Sequence, residues 1–166
     1  MTIGPLGEFL AADHRRLEGL LDRATAEPGA VDRVLFEEFR AGLLRHIGME
    51  EKILLPAARR ALGGNPLPIA SRLRLDHGAI AALLVPTPSA TGVARLRQLL
   101  ALHDALEEGP DAVYGECDRL LAGEVAALLN ALKAYPAVRT APHADGPMVE
   151  AHIRVTLDLA GRSEIK

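Results

Sequence analysis

His46 and Glu50 stand four residues apart in the stretch RHIGMEEKILLP, and His103 and Glu107 repeat that spacing in LHDALEE. On a helix such a pair lies one turn apart on one face, so each pair can grip a single metal ion. An Asp-His dipeptide precedes each pair, Asp13-His14 before the first and Asp76-His77 before the second. The chain therefore reads DH, HxxxEE, DH, HxxxEE, and its chemistry depends on bringing those four pieces together.

Helical periodicity surrounds each piece. The spacing predicts a helix over residues 6–25, where Leu6, Leu10, Leu17 and Leu21 form a stripe with His14 in an apolar position. A second helix is expected from Val31 or Asp32 to Leu62. Its inward face is Leu35, Phe39, Leu43, His46, Glu50, Ile53 and Ala57, with a kink expected at Pro56. A third falls within residues 68–85 and aligns Leu73, His77, Ile80 and Leu84. A fourth begins near Thr91 and aligns Leu96, Leu100, His103 and Glu107. Gly109-Pro110 interrupts it, and apolar periodicity resumes through Val113, Cys117, Leu121, Val125, Leu128 and Leu132, so the last helix is expected to be kinked or split there, a kinked continuation being favoured.

The tail reads differently. Residues 1–135 are expected to form the helical domain, and residues 136–166 an appendage that opens as a loop with three prolines among residues 134–147. From Val149 to Leu159 apolar and polar residues alternate strictly, which predicts a strand. A lone strand needs a partner for its backbone, so it is expected to pair either with the same segment of a second subunit, giving a homodimer, or with a short hairpin partner around Ala137 to Thr140.

Energetics favour metal over a bare polar core. Burying Glu50 and Glu107 without a compensating cation costs several kcal/mol each, and facing carboxylates repel. No Lys or Arg occupies the neighbouring stripe positions. Two cations resolve the conflict, with the glutamates bridging them and the imidazoles completing each shell. Imidazole and carboxylate without thiolate suit iron or manganese, with zinc as a further option. Asp13 and Asp76 could accept an imidazole N–H but read as solvated. Glu51 and Glu108 each follow a candidate ligand by one residue, turn about 100° away on a helix, and read as surface residues or partners behind the ligands. Cys117 reads as a core residue.

In its four ordered elements the chain resembles the hemerythrin-like family in its HHE cation-binding form, over about residues 5–133. The resemblance implies an all-α, up-down-up-down four-helix bundle holding two non-haem iron ions. It carries over His14, His46, Glu50, His77, His103 and Glu107 as ligands, with Glu50 and Glu107 as the bridges. Oxygen-carrying members have a further His on the third helix, four residues from the equivalent of His77. Here Leu73 and Ala81 stand at those positions, which argues against plain oxygen carriage and leaves Glu51, Glu108, Tyr114 or water to fill the place.

Composition narrows the alternatives. The formal net charge is −3, there is no Trp, and Tyr and Phe number 2 and 3, so neither a basic footprint nor a stacking surface for nucleic acid is present. No apolar run approaches a membrane span, and the lone Cys excludes an internal disulfide, so a soluble cytoplasmic protein without a signal peptide is expected. The leading expectation is a non-catalytic di-iron protein that binds or senses oxygen, nitric oxide or iron. The alternative is a di-iron oxidase or peroxidase-like enzyme or an iron-centre repair factor, with Tyr114 and Glu108 as the nearby proton donors.

Overall fold

The structure, a computed structural model, describes residues 3–109 and 111–166. Helix α1 spans Pro5–Ala24, opening on a proline whose missing N–H is not needed in a first turn. Helix α2 spans Arg33–Met49 and is capped by Asp32, whose carboxylate accepts from the backbone N–H of Val34 and Leu35, each at 3.0 Å. The expected bend near Pro56 takes the form of a π turn over Glu50–Leu54, which leads into α3, Leu55–Ala61. Pro56 offers no N–H and its ring presses on the carbonyl of Lys52, and a wider turn relieves that contact without breaking the helix. Helix α4 spans Ala70–Leu83. Helix α5 spans Ala90–Glu108 and is capped by Ser89, which accepts from the Gly92 N–H at 3.0 Å.

Beyond Gly109, whose extended backbone closes α5, the chain splits rather than continuing as one kinked helix. Helices α6, Val113–Leu120, and α7, Val125–Ala134, are separate elements. Pro110 lies outside the described residues. The break does not re-aim the ligands before it, because Glu107 is buried and points inward.

The predicted strand is not there. Residues Pro147–Leu159 form helix α8, and no strand occurs among the described residues, so nothing here offers a strand edge to a second copy. The segment carries two superimposed patterns. Alternation marks Val149, Ala151, Ile153, Val155, Leu157 and Leu159, but Val149, Ile153, Leu157 and Ala160 also follow a helical face. The second pattern wins: Ile153 and Leu157 are buried, whereas Val155 and Leu159 are 55% and 65% exposed. A helix satisfies its own backbone, which a lone strand cannot do. Helix α8 packs its buried face on α4.

The apolar core divides into two clusters. One gathers Leu17, Leu21, Phe39, Leu43, Ile80, Leu83, Leu96 and Leu99 with Ile153 and Leu157 of α8. The other gathers Leu6, Leu10, Met49, Leu54 and Leu73 with Val113, Tyr114, Cys117, Leu128 and Leu132 of α6 and α7. Each candidate histidine falls between the two: His14 between Leu10 and Leu17, His46 between Leu43 and Met49, His77 between Leu73 and Ile80, and His103 between Leu99 and Leu106. A polar layer thus crosses the helical bundle, with α8 closing one apolar end and α6 and α7 the other. Among the described residues no helix is long and apolar enough to cross a membrane.

Candidate metal centre

Helices α1, α2, α4 and α5 each deliver one histidine to the polar layer, and α5 and the π turn after α2 each add a glutamate. His14, His46, Glu50 and Glu107 offer ligand atoms that all lie within 4.8 Å of one another, and so do Glu50, His77, His103 and Glu107. The two groups share both glutamates, so the six residues singled out in the sequence meet as two adjoining halves. On the first side His46 Nε2 lies 3.4 Å from Glu50 Oε1, and His14 Nε2 lies 3.5 Å from Glu107 Oε2. On the second, His77 Nε2 lies 3.1 Å from Glu50 Oε2 and His103 Nε2 lies 3.0 Å from Glu107 Oε1. Each half holds two imidazoles and one oxygen from each glutamate.

Behind these residues stands a ring of carboxylates. His46 Nδ1–H donates to Asp13 Oδ2 at 2.9 Å, His77 Nδ1–H to Glu51 Oε1 at 2.7 Å, His103 Nδ1–H to Asp76 Oδ2 at 3.3 Å, and His14 Nδ1–H to Glu108 Oε1 at 2.5 Å. A carboxylate only accepts, so each contact puts a hydrogen on Nδ1 and turns Nε2, the nitrogen that a metal would take, toward the centre. Asp13 and Asp76 are therefore not solvated residues as the sequence suggested. Asp76 is fully buried and is also gripped by Arg162, whose Nε and a terminal nitrogen donate to its two oxygens at 3.1 and 3.0 Å. Arg162 lies in the tail, and no spacing in the sequence points to it.

The charge arrangement without an ion is held together by protons. Burial disfavours charge on His46, but Glu50 and Asp13 outweigh it and raise its pKa to about 10. For His77 burial is likewise outweighed, by Glu107, Glu50 and Glu51, and the value stands at about 11. For His103, Asp76 and Glu107 overcome burial and hold it at about 9. Glu50 is driven well below the usual carboxylate range because its imidazole neighbours overcome its burial.

Whether a cation fits is decided by the second half. Glu50 Oε2, His77 Nε2 and Glu107 Oε1 are buried and have no hydrogen-bond partner among the described residues, although they lie within ion-pair distance of one another. Buried polar atoms left unpaired are costly, and three of them converging on one point match the donors a metal ion would take. Residues 6–86 match the family model of the hemerythrin HHE cation binding domain. The HHE match runs through α4 and so contains His14, His46, Glu50 and His77, while geometry alone adds His103 and Glu107 from α5. Neither curated proteins nor solved structures give a significant match.

Two residues join the site that the sequence placed loosely or not at all. Tyr114, offered there as one way to fill the missing nitrogen's place or as a proton donor, is buried with its hydroxyl among the first-side donors. Asp104, adjacent to His103, lies 3.9 Å from His14 Nε2, and burial pushes its pKa up to about 6. Asp104 and His14 also line a cavity of about 300 Å³, together with Leu17, Leu21, Phe39, Leu43 and Leu100 and the charged Glu18 and Arg97.

Proposed function

We propose that this chain is a dinuclear metal protein whose centre holds two iron ions within an up-down-up-down arrangement of α1, α2, α4 and α5. His14 and His46 serve one ion, His77 and His103 the other, and Glu50 and Glu107 bridge them. The observation that carries this reading is the sharing of both glutamates between two groups of ligand atoms, each compact enough for one ion. Nitrogen and oxygen donors without thiolate suit iron or manganese better than a closed structural zinc site.

The centre's use is the binding or sensing of a small diatomic molecule, oxygen or nitric oxide. The cavity beside His14 supports this, because Leu17, Leu21, Phe39, Leu43, Leu100 and Ala101 make most of its lining apolar, which suits a small uncharged molecule. Bound iron would supply the redox-active position at which such a molecule attaches. The chain's own residues supply the rest: the ring of carboxylates orients the imidazoles, and the two apolar clusters exclude water.

Metal analysis of the purified protein tests the centre. Two ions per chain are expected, falling to one or none in Glu50→Gln and in Glu107→Gln. A single ion per wild-type chain, or two ions undisturbed by both substitutions, refutes the shared bridges. Exposure of the reduced iron form to oxygen or nitric oxide tests the use. A reversible absorption change is expected, and irreversible oxidation with release of peroxide points to the oxidase alternative instead.

A further inference from the structure

The hydroxyl of Tyr114 stands on the His14–His46 half of the centre. It lies 2.5 Å from Glu50 Oε1, 3.1 Å from Glu107 Oε2, and 3.3 Å from Nε2 of both His14 and His46. With Nδ1–H of those two histidines given to Glu108 and Asp13, the one phenol oxygen faces two carboxylate oxygens and two ring nitrogens at once. A hydroxyl has one hydrogen, so it satisfies one of the two carboxylate oxygens and meets the other lone pair to lone pair. Atoms bound at right angles to a common ion, each about 2.1 Å from it, lie about 3.0 Å apart. The four distances around the Tyr114 oxygen, 2.5 to 3.3 Å, scatter about that separation.

The fold holds the phenol there. Asp118, one turn along α6 from Tyr114, accepts from the backbone N–H of Gly4, Leu6 and Gly7 at 2.8, 2.9 and 3.1 Å, tying α6 to the start of α1. Gly7 has no side chain where one would collide: a Cβ would sit 3.0 Å from Tyr114 Cβ and 2.9 Å from Asp118 Oδ2. The side chain is 1% exposed, so the fold rather than solvent sets the position of its oxygen. The second half has no counterpart, since its Glu50 Oε2, His77 Nε2 and Glu107 Oε1 atoms remain without hydrogen-bond partners.

We propose that Tyr114, as the phenolate, is a fifth protein ligand for the ion on the His14–His46 side, making the two metal positions chemically unequal. The inference rests on the dinuclear reading above. Coordination replaces the O–H bond by an oxygen–metal bond, and the proton leaves to solvent with no change of oxidation state. A hard anionic oxygen on one side gives that side the stronger preference for the ferric ion.

The test is the full chain loaded with ferric iron. A visible tyrosinate-to-iron charge-transfer band is expected, with tyrosinate ring modes in resonance Raman. Both should vanish in Tyr114→Phe while iron stays at two per chain, and survive in Tyr135→Phe, which alters the other of the 2 tyrosines. Two irons per wild-type chain without the band overturn this inference and leave the dinuclear reading intact, as does a band that persists in Tyr114→Phe. A chain that binds no iron overturns both. Should Tyr114→Phe fail to fold, the Raman modes of the wild-type protein, present or absent, decide alone.

Discussion

His46, His77 and His103 occupy positions where an imidazole is useful only if it can give up a proton to make room for a metal. Without an ion each is held as a cation by its carboxylate neighbours, with values of about 10, 11 and 9. These ion pairs stabilise the metal-free fold fully below the unfolded-chain value of about 6.5, and the contribution is lost as pH rises through about 9 to 11. Metal binding runs the opposite way, because the ion must displace those protons. The expected outcome is proton release on metal titration at pH 7 and an apparent affinity that climbs toward pH 9. Calorimetry in two buffers of different ionisation enthalpy measures the release, and binding without it removes these histidines from the ligand set. The six residues that meet in the polar layer were legible in the sequence because residue type and helical phase are local properties. The ring behind them was only half legible. Glu51 and Glu108 turn about 100° from their neighbours, which reads as surface, yet that angle also aims each at the histidine of the next helix. Asp13 and Asp76 read as solvated because nothing local reports what packs above them.

At the scale of elements, the tail matters more than its sequence suggested. Helix α8 lies outside the matched residues 6–86, but the turn after it sends Arg162 onto Asp76 and so onto His103. Its counterpart on the other side, Arg16 on Asp13, is an exposed pair at 2.8 Å. The two should respond differently to removal. Arg162→Met strands a buried carboxylate and is expected to cost about 3–5 kcal/mol of stability. It also frees His103 to turn, and metal affinity should fall about 10- to 100-fold. Arg16→Met should change stability by less than about 1 kcal/mol. Denaturant unfolding and competition with a chelator measure both, and equal effects from the two substitutions would contradict this account. The pairing of Arg162 with Asp76 spans 86 residues, so no spacing rule could reveal it. The strand reading failed for a related reason: alternation and helical spacing coexist in residues 149–160, and only the apolar surface of α4 chooses between them.

For the molecule as a whole, the polar layer between two apolar clusters is both the candidate centre and the weakest level of the core. Metal-free, it relies on protons for cohesion; metal-bound, on the ions. A ligand present at about 100 times its dissociation constant adds about 2.7 kcal/mol, or roughly 5–10 °C in Tm for a chain of this size. Scanning calorimetry with iron and with a chelator should show that gap, and coincident melting curves would mean the ions do not bind the folded centre. The ring of carboxylates has a further consequence. Asp13 of α1 meets His46 of α2, Glu51 beyond α2 meets His77 of α4, Asp76 of α4 meets His103 of α5, and Glu108 of α5 meets His14 of α1. Every helix reaches forward to the next, so the circuit has a direction. Four amphipathic helices can wind about a common axis in either sense with much the same apolar burial. In the mirror winding Asp13 would face α5 rather than α2, and the other three carboxylates would likewise face the wrong neighbour. The same contacts that aim the imidazoles thus also select the handedness of the fold.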